Sequence, residues 1–157
     1  MRIAPINLKT FVDKDRIILG LSESSQKVIL EKLITPLNKA GIISDTEQIL
    51  RDLQQRESEI TTVMGNGVAI PHARSHAVKR LGLSVGLVEN DGIQFNEEID
   101  TPCRLIFCIV IPAFAPTSHM PLLQLLAKFA RDPRRVEKML QFKTAVSISR
   151  YLTAYKG

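Results

Sequence analysis

Leu105-Ile106-Phe107-Cys108-Ile109-Val110-Ile111 is an apolar run without a charged or amide side chain, followed at once by Pro112. Such a run offers no face to water, so it predicts a strand covered on both sides, the central strand of a sheet. Working outward, Leu83 to Val88 reads as a strand, and Arg16 to Leu21 as another entering a turn. Val68-Ala69-Ile70 predicts a short strand closed by Pro71, and Ile93-Gln94-Phe95 one more after the Asn90-Asp91-Gly92 turn. Val28, Leu30, Leu33, Ile34 and Leu37 recur near helical spacing. They predict a helix opened within Ser22 to Ser25, stopped by Gly41 and kinked or cut short at Pro36. Ser44-Asp45-Thr46-Glu47 has the form of a capping box and opens a second helix, with Ile49, Leu50 and Leu53 inward and a fading end near Arg56-Glu57-Ser58.

Three helices are expected after the central strand. Thr117 or Ser118 caps the first, whose inward face is Leu122, Leu125, Leu126 and Phe129. Asp132-Pro133 opens a short one with Val136, Met139 and Leu140 inward. Thr144 opens the last, with Val146, Tyr151, Leu152 and Tyr155 inward. The expected class is α/β: a single domain over residues 1–157, built on a small mixed sheet flanked by helices, with no internal repeat or linker.

Composition narrows the function classes. The chain has 157 residues, 45% apolar and 24% charged, enough for a real core and unlike disordered or low-complexity sequence. Its two cysteines, Cys103 and Cys108, read as buried thiols and point to a reducing compartment. No apolar run is long enough to span a bilayer, and Met1 to Thr10 lacks the apolar core of a signal peptide, so the expected place is the cytoplasm, with no membrane insertion. The net charge of +5 is unevenly spread. Residues 101–157 hold nine Lys and Arg against two Asp and Glu, while the first hundred residues are slightly acidic. A basic C-terminal third raises a nucleic-acid reading, motivated by Arg131, Arg134, Arg135, Lys138 and Lys143. No aromatic-basic motif or recognition-helix pattern accompanies them, so no nucleic-acid partner is expected.

The chemistry-bearing residues are few. His72 follows Gly65-Asn66-Gly67-Val68-Ala69-Ile70-Pro71, a turn with permissive glycines and a short buried strand. That places it on a turn just beyond a strand end, where polar groups are presented and an anion can approach the backbone. By itself such a histidine is more often a solvated loop residue. Arg56 read alone is a helix-end residue, and His119 a hydrogen-bonding residue at a helix start. His76 stands four residues after His72, but with Ala73-Arg74-Ser75 between them and an arginine beside the site, a metal pair is not expected.

The whole string Gly-Asn-Gly-Val-Ala-Ile-Pro-His resembles the phosphorylation-site motif of the type 2 (mannitol/fructose and nitrogen-regulatory) enzyme IIA family of the bacterial phosphotransferase system. The resemblance runs from the strand at Arg16 to the last helix. It includes Arg56-Glu57 at the end of the second helix, and Ile93-Gln94-Phe95 with Asp100 ahead of the proline-ended strand. It also includes His119 opening a leucine-rich helix. It implies that His72 accepts a phosphoryl group while Arg56 and His119 stabilise it. The donor would be an HPr-like phosphocarrier protein. The recipient would be an enzyme IIB, or the phosphorylation state would regulate a transporter or kinase. No cofactor, nucleotide or metal is implied, and the chain is a phosphotransferase component rather than a stand-alone enzyme. The whole string Gly-Asn-Gly-Val-Ala-Ile-Pro-His resembles the nitrogen-regulatory branch. A sugar-specific enzyme IIA feeding a fructose/mannitol-type permease is the alternative, as is a binding protein that no longer transfers phosphate.

The chemistry suits these residues. A neutral imidazole attacks phosphorus with a ring-nitrogen lone pair, and a pKa near 6.5 keeps most of it neutral at pH 7. Negative charge then spreads over three oxygens, which a planar guanidinium can pair. Glu57 is a weak candidate for orienting Arg56. Ala73 stands where the family commonly has glycine, and would be strained if that backbone required a positive φ.

Overall fold

The computed structural model describes residues 6–157. The first five residues, part of the stretch read above for a leader, lie outside the described residues. Six strands form one mixed sheet: β1 (Ile17–Leu21), β2 (Val63–Met64), β3 (Val68–Ala69), β4 (His72–Ser75), β5 (Gly82–Val88) and β6 (Leu105–Pro112). Five helices flank it: α1 (Gln26–Lys39), α2 (Thr46–Glu59), α3 (Met120–Ala130), α4 (Pro133–Gln141) and α5 (Ala145–Thr153).

The expected central strand is central. β6 pairs antiparallel with β5 along one edge. Along its other edge it pairs in parallel with β3 and then with β4, with His72 opposite Ile109. The full path runs β1-β5-β6-β3-β2. Side chains of β6 alternate between two cores. Leu105, Phe107, Ile109 and Ile111 pack with Leu122, Leu126, Phe129 and residues of α4 and α5. Ile106, Cys108 and Val110 pack with Ile29, Leu33, Leu37, Ile49 and Leu53 from α1 and α2. Every residue from Leu105 to Ile111 is fully buried, and at about 1.5–3 kcal/mol per large apolar side chain this strand is a main source of stability. Close approach of α1 to the sheet needs Gly86. A Cβ there would lie 2.7 Å from Leu21 Cδ1 and 2.9 Å from Leu33 Cδ2.

Local expectations were met unevenly. α1 runs one turn past Pro36 to Lys39 instead of stopping. Leu33, Ile34, Pro36 and Leu37 are buried on the sheet, while Lys32, whose carbonyl loses its usual donor to proline, lies on the exposed side. The cap of α2 is Asp45, accepting from Gln48 N–H at 3.0 Å, rather than Ser44. Ile93-Gln94-Phe95 is no strand: only Ile93 bridges, to Cys103. Val146 is exposed, against its expected inward face. Asp132 and Thr144 cap α4 and α5 as read.

Two corrections bear on function. His72 is not on a turn. Pro71 lacks an N–H and interrupts the ladder, but its carbonyl accepts from Ile109 N–H, and the chain rejoins β6 as β4. Neither Thr117 nor Ser118 caps α3: the cap position is His119, whose backbone is helical and whose side chain makes no capping bond. Pro121 removes one of the donors that a cap would serve.

Candidate functional site

The turn ahead of His72 is built from Asn66 (φ 64°) and Gly67 (φ 71°). Asn66 tolerates the left-handed region and donates its side-chain N–H to Ala130 O at 2.9 Å, anchoring the turn to the far end of α3. A Cβ on Gly67 would meet the Pro102 carbonyl at 3.1 Å, so glycine is the residue that fits. Ala73 has no positive φ and sits buried toward α1 and α2, so alanine there carries no backbone strain.

Alternation along β4 sends Ala73 into that core and His72 and Arg74 to the other side. His72 is half-buried. Its Nδ1 lies 2.7 Å from the Ile70 carbonyl oxygen. A carbonyl only accepts, so Nδ1 carries the proton and the neutral ring keeps its lone pair on Nε2. Burial pushes the His72 pKa below the usual imidazole value. The Ile70 carbonyl and the Glu57 carboxylate oppose that shift, and the charges of Arg56 and Arg74 add to it. The net effect favours the neutral ring.

His119 faces His72, with ring centroids 5.7 Å apart and planes tilted by 31°. It is buried, and its Nδ1 has no hydrogen-bond partner among the described residues. Burial, then the neighbouring His72 and Arg74, lower its pKa to about 4. Arg56, in the last turn of α2, donates Nη1–H to the Ile60 carbonyl at 2.7 Å. It lines an open cavity of about 310 Å³ together with His72, Arg74, Asp52 and Glu59. The three residues singled out from the sequence thus converge from α2, β4 and the start of α3.

Arg74 was missed as a site residue. Its Nε–H donates to the Pro116 carbonyl at 2.6 Å, tying β4 to the loop that carries His119, and its charge bears on both histidines. Reading His72–Ser75 as a strand would have found it, because residues two apart share a face. His76 is exposed. Glu57 is buried and forms none of the described ion pairs; its carboxylate accepts from Thr62 and Asn96 instead.

The arrangement offers an unprotonated ring nitrogen and two guanidinium groups at one opening, with a second, buried imidazole 5.7 Å from the His72 ring. Over residues 10–155 the chain matches the family described as phosphoenolpyruvate-dependent sugar phosphotransferase system, EIIA 2. The chain belongs to the EIIA 2 family. Among relatives of this EIIA chain is the fructose-specific EIIA component of Haloferax volcanii. It is 28% identical over 142 residues, 90% of this chain and 92% of that one. The mannitol-specific phosphotransferase enzyme IIA component of Staphylococcus aureus is 28% identical over 137 residues, 85% and 89% of the two chains. The 2-O-alpha-mannosyl-D-glycerate-specific EIIABC component of Escherichia coli is 31% identical over 131 residues, 81% of this chain but only 20% of that protein. The chain therefore spans about nine-tenths of the single-component relatives and a fifth of that multi-component one.

Solved structures share the EIIA fold. The nitrogen regulatory protein IIA-Ntr of Neisseria meningitidis has a TM-score of 0.79 at 22% identity, covering 92% of this chain and 98% of that one. The mannitol IIA of Escherichia coli has a TM-score of 0.76 at 20% identity, covering 90% and 98%.

The titration of His119 gives a stability prediction. Folding lowers its pKa from 6.5 to about 4, so the unfolded chain binds a proton in that window that the folded chain refuses. The stability tied to this group is whole above the unfolded value and is lost as pH falls toward the folded one. Going from pH 7 to pH 5 should cost about 2 kcal/mol through this group. His119→Gln should lack that component, seen as a smaller fall in urea midpoint. Equal falls in both proteins would count against it.

Proposed function

We propose that this EIIA chain is a phosphohistidine carrier with His72 Nε2 as the acceptor. The Nε2 lone pair forms an N–P bond as the N–P bond of a phosphorylated HPr-like carrier breaks. The reverse step passes the group to a downstream recipient. The observation that carries this reading is the bond from Nδ1–H to the Ile70 carbonyl, which leaves Nε2 free beside Arg56, Arg74 and His119. That carbonyl also steadies the positive charge the ring acquires once Nε2 bears phosphorus. Arg56 pairs phosphoryl oxygens, and His119 donates to them from the opposite side. The reading places the chain in the cytoplasm as a single domain over 1–157, with no cofactor required.

Exposed apolar groups support a protein partner. Ile60, Phe114 and Met120 are three of the four large apolar side chains most exposed among the described residues. Ile60 follows the last turn of α2 that carries Arg56, Phe114 lies in the loop leading to His119, and Met120 follows His119 at the start of α3. Apolar anchors around a polar centre suit a small protein interface.

Two recipients are weighed. The fructose- and mannitol-specific relatives favour an enzyme IIB, and an Escherichia coli neighbour of the same fold was solved in complex with phosphorylated enzyme IIB of the mannitol system. The string from Gly65 to His72, which resembles the nitrogen-regulatory branch, favours regulation of a transporter or kinase. Incubation with phosphoenolpyruvate, enzyme I and an HPr-like carrier tests the acceptor. Mixing the phosphorylated chain with a fructose- or mannitol-type IIB then separates the branches. Transfer supports the sugar-specific one; phosphorylation-dependent binding without transfer supports the regulatory one. No uptake from any HPr-like carrier would end the proposal.

The basic C-terminal third has a different role. α3 runs 11 residues from Met120 to Ala130, about 16 Å, so Arg134 and Arg135 follow its far end. Charge there steers encounter rather than chemistry. Arg134→Glu with Arg135→Glu should change the association rate and its salt dependence. A hundredfold fall in single-turnover transfer at saturating carrier would contradict this.

A further inference from the structure

Glu57 is a carboxylate only 2% exposed, in the last turn of α2. It faces no cation among the described ion pairs. Its two oxygens accept from the Thr62 backbone N–H at 2.8 and 3.1 Å, one also accepts from the Thr62 hydroxyl, and the other from Asn96 Nδ2–H at 2.8 Å. Burying a carboxylate among neutral donors costs stability that an apolar residue would not. What it does instead is close the six-residue turn from position 57 to 62. Asn96 holds the turn from outside, donating also toward the Glu57 carbonyl at 3.4 Å, while its own Oδ1 accepts from Glu98 N–H at 2.9 Å.

Within that turn lies Ile60. Its side chain is 71% exposed, so packing does not fix it. Its carbonyl is nevertheless the acceptor for Arg56 Nη1–H at 2.7 Å. The position of that carbonyl depends on the closure of the turn, and the Arg56 guanidinium depends on the carbonyl. We propose that Glu57 is a positioning residue: by clamping Thr62 and Asn96 it fixes the Ile60 carbonyl, and through it holds Arg56 at the cavity beside His72. This rests on the reading that Arg56 pairs the transferred phosphoryl group. Its own content is the coupling between Glu57 and Arg56.

A double-mutant cycle tests it, with transfer from phosphorylated HPr-like carrier followed by rapid quench at saturating carrier. Glu57→Gln keeps the shape but loses an acceptor facing donors. It should slow transfer by about tenfold in the native background and by less than about twofold in Arg56→Ala, since a misplaced guanidinium matters only when it is there. Thr62→Val should repeat the Glu57→Gln effect and its dependence on Arg56, and Thr62→Ser should restore native transfer. The Thr62 pair carries the test if Glu57→Gln fails to fold. Equal slowing by Glu57→Gln in both backgrounds would overturn the coupling, because a merely structural defect acts whether or not Arg56 is present. Native transfer in Arg56→Ala would instead remove the reading of Arg56, and the positioning role with it.

Discussion

Alanine at position 72 is expected to leave the chain folded and wholly unable to take up acid-labile phosphate. β4 is held by backbone pairing with β6, and His72 is only half-buried, so removing its ring opens no core cavity. The chemistry has no substitute. His76 is exposed and four residues on, and His119 has its pKa held near 4, a weak nucleophile next to the arginines. Phosphate on a ring nitrogen is stable to alkali and lost in acid, because protonation makes imidazole a better leaving group. Mass measurement after incubation with enzyme I, phosphoenolpyruvate and carrier should therefore show one phosphoryl group in the native chain and in His76→Ala, and none in His72→Ala. Loss of labelling in His76→Ala with retention in His72→Ala would move the acceptor elsewhere.

His119→Ala should slow transfer in both directions by about 10²–10³ without preventing eventual modification, the range for losing one donor to a charged transition state. The geometry gives the reason. The His119 ring stands 5.7 Å from that of His72, and its buried Nδ1 has no partner among the described residues. On the proposed reading, a phosphoryl oxygen on His72 would be a partner for this ring. A neutral ring has one N–H to give, which the low pKa preserves without adding a like charge beside the arginines. Glutamine carries an N–H to a similar place, so the expected order is native, His119→Gln, His119→Ala. Because the residue is buried, melting curves must accompany rapid-quench rates. A destabilised His119→Ala with native rates at low temperature would reduce His119 to a packing residue.

Much of this was legible from side-chain type and spacing. The apolar run 105–111 announced a strand buried on both faces because no polar residue interrupts it, and Asp132-Pro133 announced a helix start because few other roles suit that pair. What stayed hidden depended on partners distant in sequence. β4 is four residues long with mixed polarity, and its strand character comes from β6 across the sheet. Arg74 was lost with it. The clamp at Glu57 joins positions 57 and 96, 39 residues apart, and no local pattern marks that. His119 was found through family resemblance, but its cap position was not, since histidine is an unusual residue there and the chain's turn at Ala115 to Ser118 leads α3 in unaided.

The placement of His72 on β4 constrains how its modification can be sensed. Switch residues elsewhere often sit in segments that order or melt when charge is added. Here the proposed acceptor, His72, pairs in register with Ile109, on the edge of a strand fully buried from Leu105 to Ile111. β4 pairs through one edge, with β6, whose residues 105–111 are fully buried, so separating it would expose part of that strand. If phosphate at Nε2 leaves this pairing in place, the expected result is one backbone for both forms, told apart by a partner through the charge at the site rather than by a moved loop. Amide-exchange profiles of the two forms should superimpose along β4 and β6.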